Sequence, residues 1–303
     1  MSDAAPTALP HSAPAPDADL VVPPPRPDGW RPRLVATDLD GTLLDSGGQV
    51  SPRSRAALDA CWAAGIPVVG VTGRGPRLLR SVREALAGRG IAVLAQGGYV
   101  VDLERDEVLR TVGLPRGRAQ AVIERIESVT GELTVAVEDA ADQALARRGT
   151  LLRVQHGFDW PYPEPAQLLP RHEVLPDGAV LKVFLRSATL DQDELLALAR
   201  RVVEPAEAEL THAGLGFIEV LPPGITKATG LAVALDRHGV GPGEVLAFGD
   251  MPNDVPMLHA VADAGGRAVA VANAHPAVRA VAQDLTGGHD ADGVARYLEA
   301  VLP

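Results

Sequence analysis

Residues 34–43 read Leu34-Val35-Ala36-Thr37-Asp38-Leu39-Asp40-Gly41-Thr42-Leu43. A short apolar run ends abruptly in two carboxylates, the pattern of a buried parallel strand that delivers polar groups at its carboxyl end. Open α/β sheets place their ligands at that end. Working outward, Ser51-Pro52 reads as an N-cap followed by the first helical residue, and Gly65 closes that helix. Ile66–Val71 forms a second apolar strand, again ending in polar residues, Thr72-Gly73-Arg74. A helix over about 76–87 and a third strand, Ile91–Ala95, continue the alternation. This predicts an α/β fold with a parallel sheet.

The rhythm then breaks. Tyr99–Leu103 and Glu107–Val112 alternate around an acidic turn like a hairpin, and an amphipathic helix follows over about 116–129. Strand-like runs at Leu133–Val137, Ala179–Leu185 and Glu207–His212 surround a helix near 192–203, the pattern of an α+β module. Residues 155–178 read as irregular loop. The α/β alternation returns with a strand at Phe217–Leu221, a helix at Thr226–His238, strands at Glu244–Phe248 and Ala268–Ala272, and a closing helix over about 292–301. The expected organisation is therefore a core of residues 31–102 and 212–303 interrupted by an α+β insert, 103–211. Residues 1–30, rich in Ala and Pro, have no period of 2 or 3.6 and read as a disordered leader.

Composition bounds the chemistry. The chain has 303 residues and a formal charge of −11, which disfavours general nucleic-acid binding because it would repel a phosphate backbone. Cys61 is the only cysteine, so neither an intramolecular disulfide nor a cysteine-based zinc site is available, and a reducing cytoplasm is expected. No apolar stretch predicts a membrane span. Lys182 and Lys227 are the only lysines, so a lysine in this arginine-using chain marks a place where a compact charge is wanted.

Asp38 and Asp40 would share one face if the strand ran straight. Gly249-Asp250 ends another strand, with Asn253 and Asp254 following closely. These oxygen donors, without histidine or cysteine, suit a hard Mg²⁺ ion better than zinc. Read singly, each motif has a plainer explanation: aspartates cap helices in βα loops, Thr72 could cap the next helix, and Lys227 could be a solvated residue starting its own.

Together, however, Asp38-Leu39-Asp40-Gly41-Thr42-Leu43, Thr72-Gly73-Arg74, Lys227 and Gly249-Asp250-Met251-Pro252-Asn253-Asp254 stand in the order of the four motifs of the haloacid dehalogenase (HAD) superfamily. The match resembles its Cof-like, subfamily IIB phosphatases, as do Gly224–Leu231, Val271–Ala274 and Asp292-Gly293-Val294. The resemblance implies a Rossmann-like core with an inserted C2-type cap that chooses the substrate. It also implies a Mg²⁺-dependent phosphomonoesterase acting on small phosphate esters, with a phosphotransferase or mutase, or a non-catalytic sensor of phosphorylated metabolites, as the alternatives. By the same resemblance Asp38 is the nucleophile and Asp40 the general acid and base. Asp38, the Asp40 main-chain carbonyl and Asp250 hold the metal; Thr72, Gly73 and Lys227 bind the phosphoryl group. Asn253 and Asp254 support them, and Arg74 is either a substrate contact or an ion-pair partner. Gln96-Gly97 stands where the family usually has Asn-Gly.

Overall fold

The computed structural model describes residues 30–140, 152–161 and 166–302, so the expected leader, except for Trp30, lies outside the described residues. In chain order the strands are β1 (Leu34–Thr37), β2 (Val68–Val71), β3 (Ile91–Leu94), β4 (Tyr99–Asp102), β5 (Glu107–Thr111), β6 (Thr134–Asp139), β7 (Leu152–Gln155), β8 (Gln167–Leu169), β9 (Val180–Arg186), β10 (Glu209–Thr211), β11 (Ile218–Leu221), β12 (Val245–Gly249), β13 (Arg267–Ala270) and β14 (Asp284–Leu285). They form two sheets, an eight-stranded one in the order β14-β13-β12-β1-β2-β3-β4-β5 and a six-stranded one in the order β10-β11-β9-β6-β7-β8. The chain divides accordingly into two compact units, the second sheet's spanning Thr111–Ile225 together with Arg74–Leu78.

In the first unit, β14 through β3 are parallel and β4 returns antiparallel to β3. Every residue of β1, β2 and β3 is buried, which is why these strands read as continuous apolar runs rather than alternating ones. From β1 the chain steps one way to β2 and β3, whereas β12, β13 and β14 step the other way, so the strand order reverses between β1 and β12. Ligand crevices form at such a reversal. Thr37 pairs with Phe248, so Asp38 and Asp250 leave adjacent strands just beyond that pair.

In the second unit, the helices Arg116–Thr130 and Gln192–Ala199 share an apolar core with Val135, Val137, Val183, Leu185, Ile218 and Val220 of the sheet. The alternate residues Ala136, Phe184 and Phe217 cluster with Leu152, Val154 and Phe158. Among the described residues of this unit two ion pairs are buried, Lys182–Glu219 at 3.1 Å and Arg77–Glu138.

Three expectations are corrected. The strand placed at the return to the core, β11, pairs antiparallel with β9 and β10 and so belongs to the six-stranded sheet, while β5 of the anticipated hairpin extends the eight-stranded one. The exchange of sheets therefore occurs near residues 111 and 225 rather than 103 and 211. Alternation specifies that one face is buried; which neighbour buries it is a long-range matter. Finally, the stretch expected to be irregular contains β8 and a short helix, Arg171–Val174.

Candidate active site

Asp38 does not continue β1. The chain turns instead, with the Thr42, Leu43 and Leu44 amides all donating to the Leu39 carbonyl. Asp38 is thereby 4% exposed while Asp40 faces solvent, so the two carboxylates sit in different environments and not on one extended face. Gly41 makes the turn possible, with φ +74°, and any Cβ there would strike the Asp250 carboxylate. Thr42 Oγ1 donates to Asp250 Oδ1 at 3.0 Å, and Asn273 Nδ2 donates to the Gly41 carbonyl at 2.8 Å. The motif lettering made Thr42 visible; nothing local assigned Asn273 to this loop.

Lys227 is the first residue of the helix Lys227–His238, behind the N-cap Thr226, whose hydroxyl accepts from the Thr229 amide. It is 1% exposed, which removes the plainer reading of a solvated helix start. A buried cation at the positive end of a helix dipole needs counter-charge. Its ammonium donates to Asp38 Oδ1 and to Asp254 Oδ1, both at 2.6 Å. The other Asp254 oxygen accepts from the Asp250 and Met251 amides, each at 3.0 Å, so Asp254 braces both the lysine and the loop carrying Asp250. Asn253 does not join them; its Nδ2 donates to Gln96 Oε1 at 3.1 Å.

Thr72 is buried, its amide donating to the Val93 carbonyl, and helical structure resumes only at Pro76, so Thr72 is no helix cap. Gly73 follows it in the same unit. Arg74 instead groups with the segment Arg74–Leu78 of the other unit.

Asp38, Asp250 and Asp254 each offer an oxygen within 4.8 Å of the others, and all three are buried. Fully ionised, this trio and Lys227 carry two negative charges in excess, and the donors are all oxygens; a hard divalent cation fits both facts. Because both Asp254 oxygens are already engaged, Asp38 and Asp250 are the better placed to bind it. Burial pushes the Asp38 carboxyl up to about 7, against the pull of Lys227. Burial, then the neighbouring Asp38 and Asp254 charges, raise Asp250 well above its ordinary range. Burial disfavours the Lys227 charge, but Asp254 and Asp38 outweigh it, and the net shift is upward, so the lysine stays charged.

These shifts set a pH dependence. The folded protein retains protons on Asp38 and Asp250 that the unfolded chain gives up above pH ~4. The stability so contributed is present in acid and is lost as pH rises through about 7. Mg²⁺ is therefore expected to raise the melting temperature by several degrees at about pH 8 and hardly at all at about pH 5, where it must displace protons. Scanning calorimetry with and without the ion reads this directly, and an equal rise at both pH values would contradict it.

Known proteins resemble the chain over most of its length. A family model described as haloacid dehalogenase-like hydrolase matches residues 35–298. The chain is 27% identical over 273 residues to pyridoxal phosphate phosphatase YbhA of Escherichia coli K12, spanning 89% of this chain and 98% of that protein. It is 28% identical over 274 residues to the HMP-PP phosphatase of Serratia proteamaculans, spanning 88% and 94%. The solved HAD subclass IIB sugar phosphatase BT4131 superposes with a TM-score of 0.70 at 20% identity, covering 88% of this chain and 97% of that one, a likeness of fold. No helix among the described residues is long and apolar enough to cross a membrane.

Proposed function

The chain belongs to the haloacid dehalogenase-like hydrolases, and from that membership we propose that it is a Mg²⁺-dependent phosphomonoesterase working through an aspartyl phosphate on Asp38. Its substrates are small phosphorylated metabolites, in the range of sugar phosphates and phosphorylated cofactors. The observation that carries the reading is the buried Asp38–Lys227–Asp254 chain at the reversal between β1 and β12, with Asp250 beside it.

Asp38 attacks phosphorus in line, forming one P–O bond as the bond to the leaving alkoxide breaks. Lys227 fixes the orientation of the Asp38 carboxylate through Oδ1, leaving Oδ2 to attack, and places positive charge beside the transferred group. Thr72 and Gly73 hold the phosphoryl oxygens. Asp40, which faces solvent, gives its proton to the leaving oxygen and then takes one from the water that hydrolyses the acyl phosphate. The metal would be held by Asp38, Asp250 and the Asp40 carbonyl. Bound there, it lowers the repulsion between the carboxylate nucleophile and the phosphoryl oxygens.

Steady-state kinetics of Asp40→Asn test the assignment. Turnover of alkyl phosphates should fall by roughly 10²–10⁴, and that of nitrophenyl phosphate, whose leaving group needs no proton, by much less in the first step. An equal loss of kcat/KM on both, a quantity that covers only the steps up to departure of the leaving group, would remove the acid role.

Leaving-group choice is assigned to the inserted unit, none of whose described residues belongs to the constellation above. Exchanging residues 113–222 for the corresponding unit of another subclass IIB phosphatase should reorder substrate preference while Mg²⁺ dependence persists. These limits keep β5 with its own sheet and carry β11 with its partners β9 and β10. A folded chimera with the native ranking, measured on a phosphate-ester panel, would return specificity to the loops of the first unit.

A further inference from the structure

The loop after β3 holds three consecutive residues in the left-handed region, Ala95 (φ +49°), Gln96 (φ +58°) and Gly97 (φ +107°). Only glycine adopts that region without cost, so the first two store strain that other contacts must offset. Gln96 is 1% exposed, and its contacts reach several of the segments that build the site. Its amide donates to the Thr72 carbonyl at 3.2 Å. Its side-chain Nε2 lies against the Thr72–Gly73 turn, where a Cβ on Gly73 would come within 2.8 Å of it. Its Oε1 accepts from Asn253 Nδ2 at 3.1 Å, which commits that end of the Asn253 amide and leaves the buried Oδ1 as an open acceptor. Behind it, Gly97 packs on the Thr226 carbonyl so closely that no Cβ fits, at the cap of the helix that begins with Lys227.

We propose that Gln96 is a positioning residue for the phosphoryl group. Its side chain spans the gap between the Thr72–Gly73 turn and the loop carrying Asp250, Asn253 and Asp254, and so sets the separation of the phosphoryl donors from the carboxylates. The proposal rests on the phosphatase reading above. It adds to it a specific spacer, whose length is that of a glutamine arm.

The test uses the full chain, nitrophenyl phosphate as substrate and inorganic phosphate as competitive inhibitor. Gln96→Asn is the informative variant, because asparagine tolerates the left-handed backbone while its arm is shorter by one methylene. The inhibition constant for phosphate should rise roughly ten-fold, as for one Thr72 or Gly73 hydrogen bond to phosphate drawn out of reach, with the melting temperature lowered by no more than a few degrees. A smaller folded fraction would lower apparent turnover but would not move an inhibition constant. Asn253→Ala should raise the constant similarly, and the double variant should be no worse than the poorer single one. Gln96→Leu, which keeps the bulk and removes the amide, should behave as Gln96→Asn does. An unchanged constant in Gln96→Asn, or effects of Gln96→Asn and Asn253→Ala that multiply, would overturn the proposal. If the native chain hydrolyses no phosphate ester, the phosphatase reading itself falls. If the native chain is active, Asp38→Asn is inactive and Gln96→Asn binds phosphate normally, only the role of Gln96 falls.

Discussion

Asp38→Asn is expected to reduce phosphate-ester hydrolysis by roughly 10⁴-fold or more, because an amide is a poor nucleophile and a poor ligand for a hard cation. The same substitution should leave the fold intact. The Asp38 carboxyl is pushed toward its neutral form by burial and by the nearby Asp254 and Asp40 charges, so a neutral side chain relieves repulsion that the native residue endures. Lys227 keeps its second partner, Asp254. The metal-free variant should therefore melt no lower than the metal-free native protein at about pH 8, where the native carboxylates repel most strongly. Turnover, melting temperature and trapping of phosphate on the chain can be measured on one preparation. Residual hydrolysis near the native rate in Asp38→Asn would sink the covalent mechanism, and a large fall in melting temperature would show that the Asp38 charge is structural.

Lys227→Met should be costly in both respects. Methionine keeps much of the volume but strands Asp38, Asp250 and Asp254 in the interior without their ammonium. Removing one partner of a buried ion pair costs about 3–5 kcal/mol, which for a protein of this size corresponds to a fall in melting temperature of roughly 10 °C. Hydrolysis should fall by at least about 10²-fold, since the transferred phosphoryl loses a fixed positive charge. Mg²⁺ or acid should restore part of the melting temperature, by supplying charge or protons to the stranded carboxylates. Neither should restore turnover, because neither replaces a donor at the Lys227 position. Lys227→Arg should also fail, since the planar guanidinium cannot fit a site that is 1% exposed and bounded by two 2.6 Å contacts. A variant with native stability would mean that the carboxylates are already neutral in the folded protein, and the charge argument for a divalent ion would fail with it.

The chemistry of this protein is written locally. An apolar run ending at Asp38, a second ending at Thr72 and a third ending at Asp250 each announce a strand whose carboxyl end is polar, and a parallel sheet must bring such ends to one edge. The scarcity of lysine singled out Lys227, and the only other lysine, Lys182, lies in a buried pair with Glu219. These features depend on residue type and short-range order, so they are legible without coordinates. The sheet membership of β5 and β11 is of another kind. Both are short half-buried or buried strands beside a crossing between sheets, and which sheet each joins follows from how its neighbours pair: β5 follows β4 into the larger sheet, and β11 joins β10 and β9 in the smaller one. The different burial of Asp38 and Asp40 was likewise decided by the turn that closes on the Leu39 carbonyl and by the close approach of Asp250 to Gly41. Gln96 carries no local signal of its contact with Asn253, 157 residues away. What sequence by itself determined is the set of groups proposed to react and the sheet edge that carries them. Only the tertiary structure decided which carboxylates are stripped of water and which side chain spans the loops between them, because desolvation and spacing belong to the packed neighbourhood and not to any one segment.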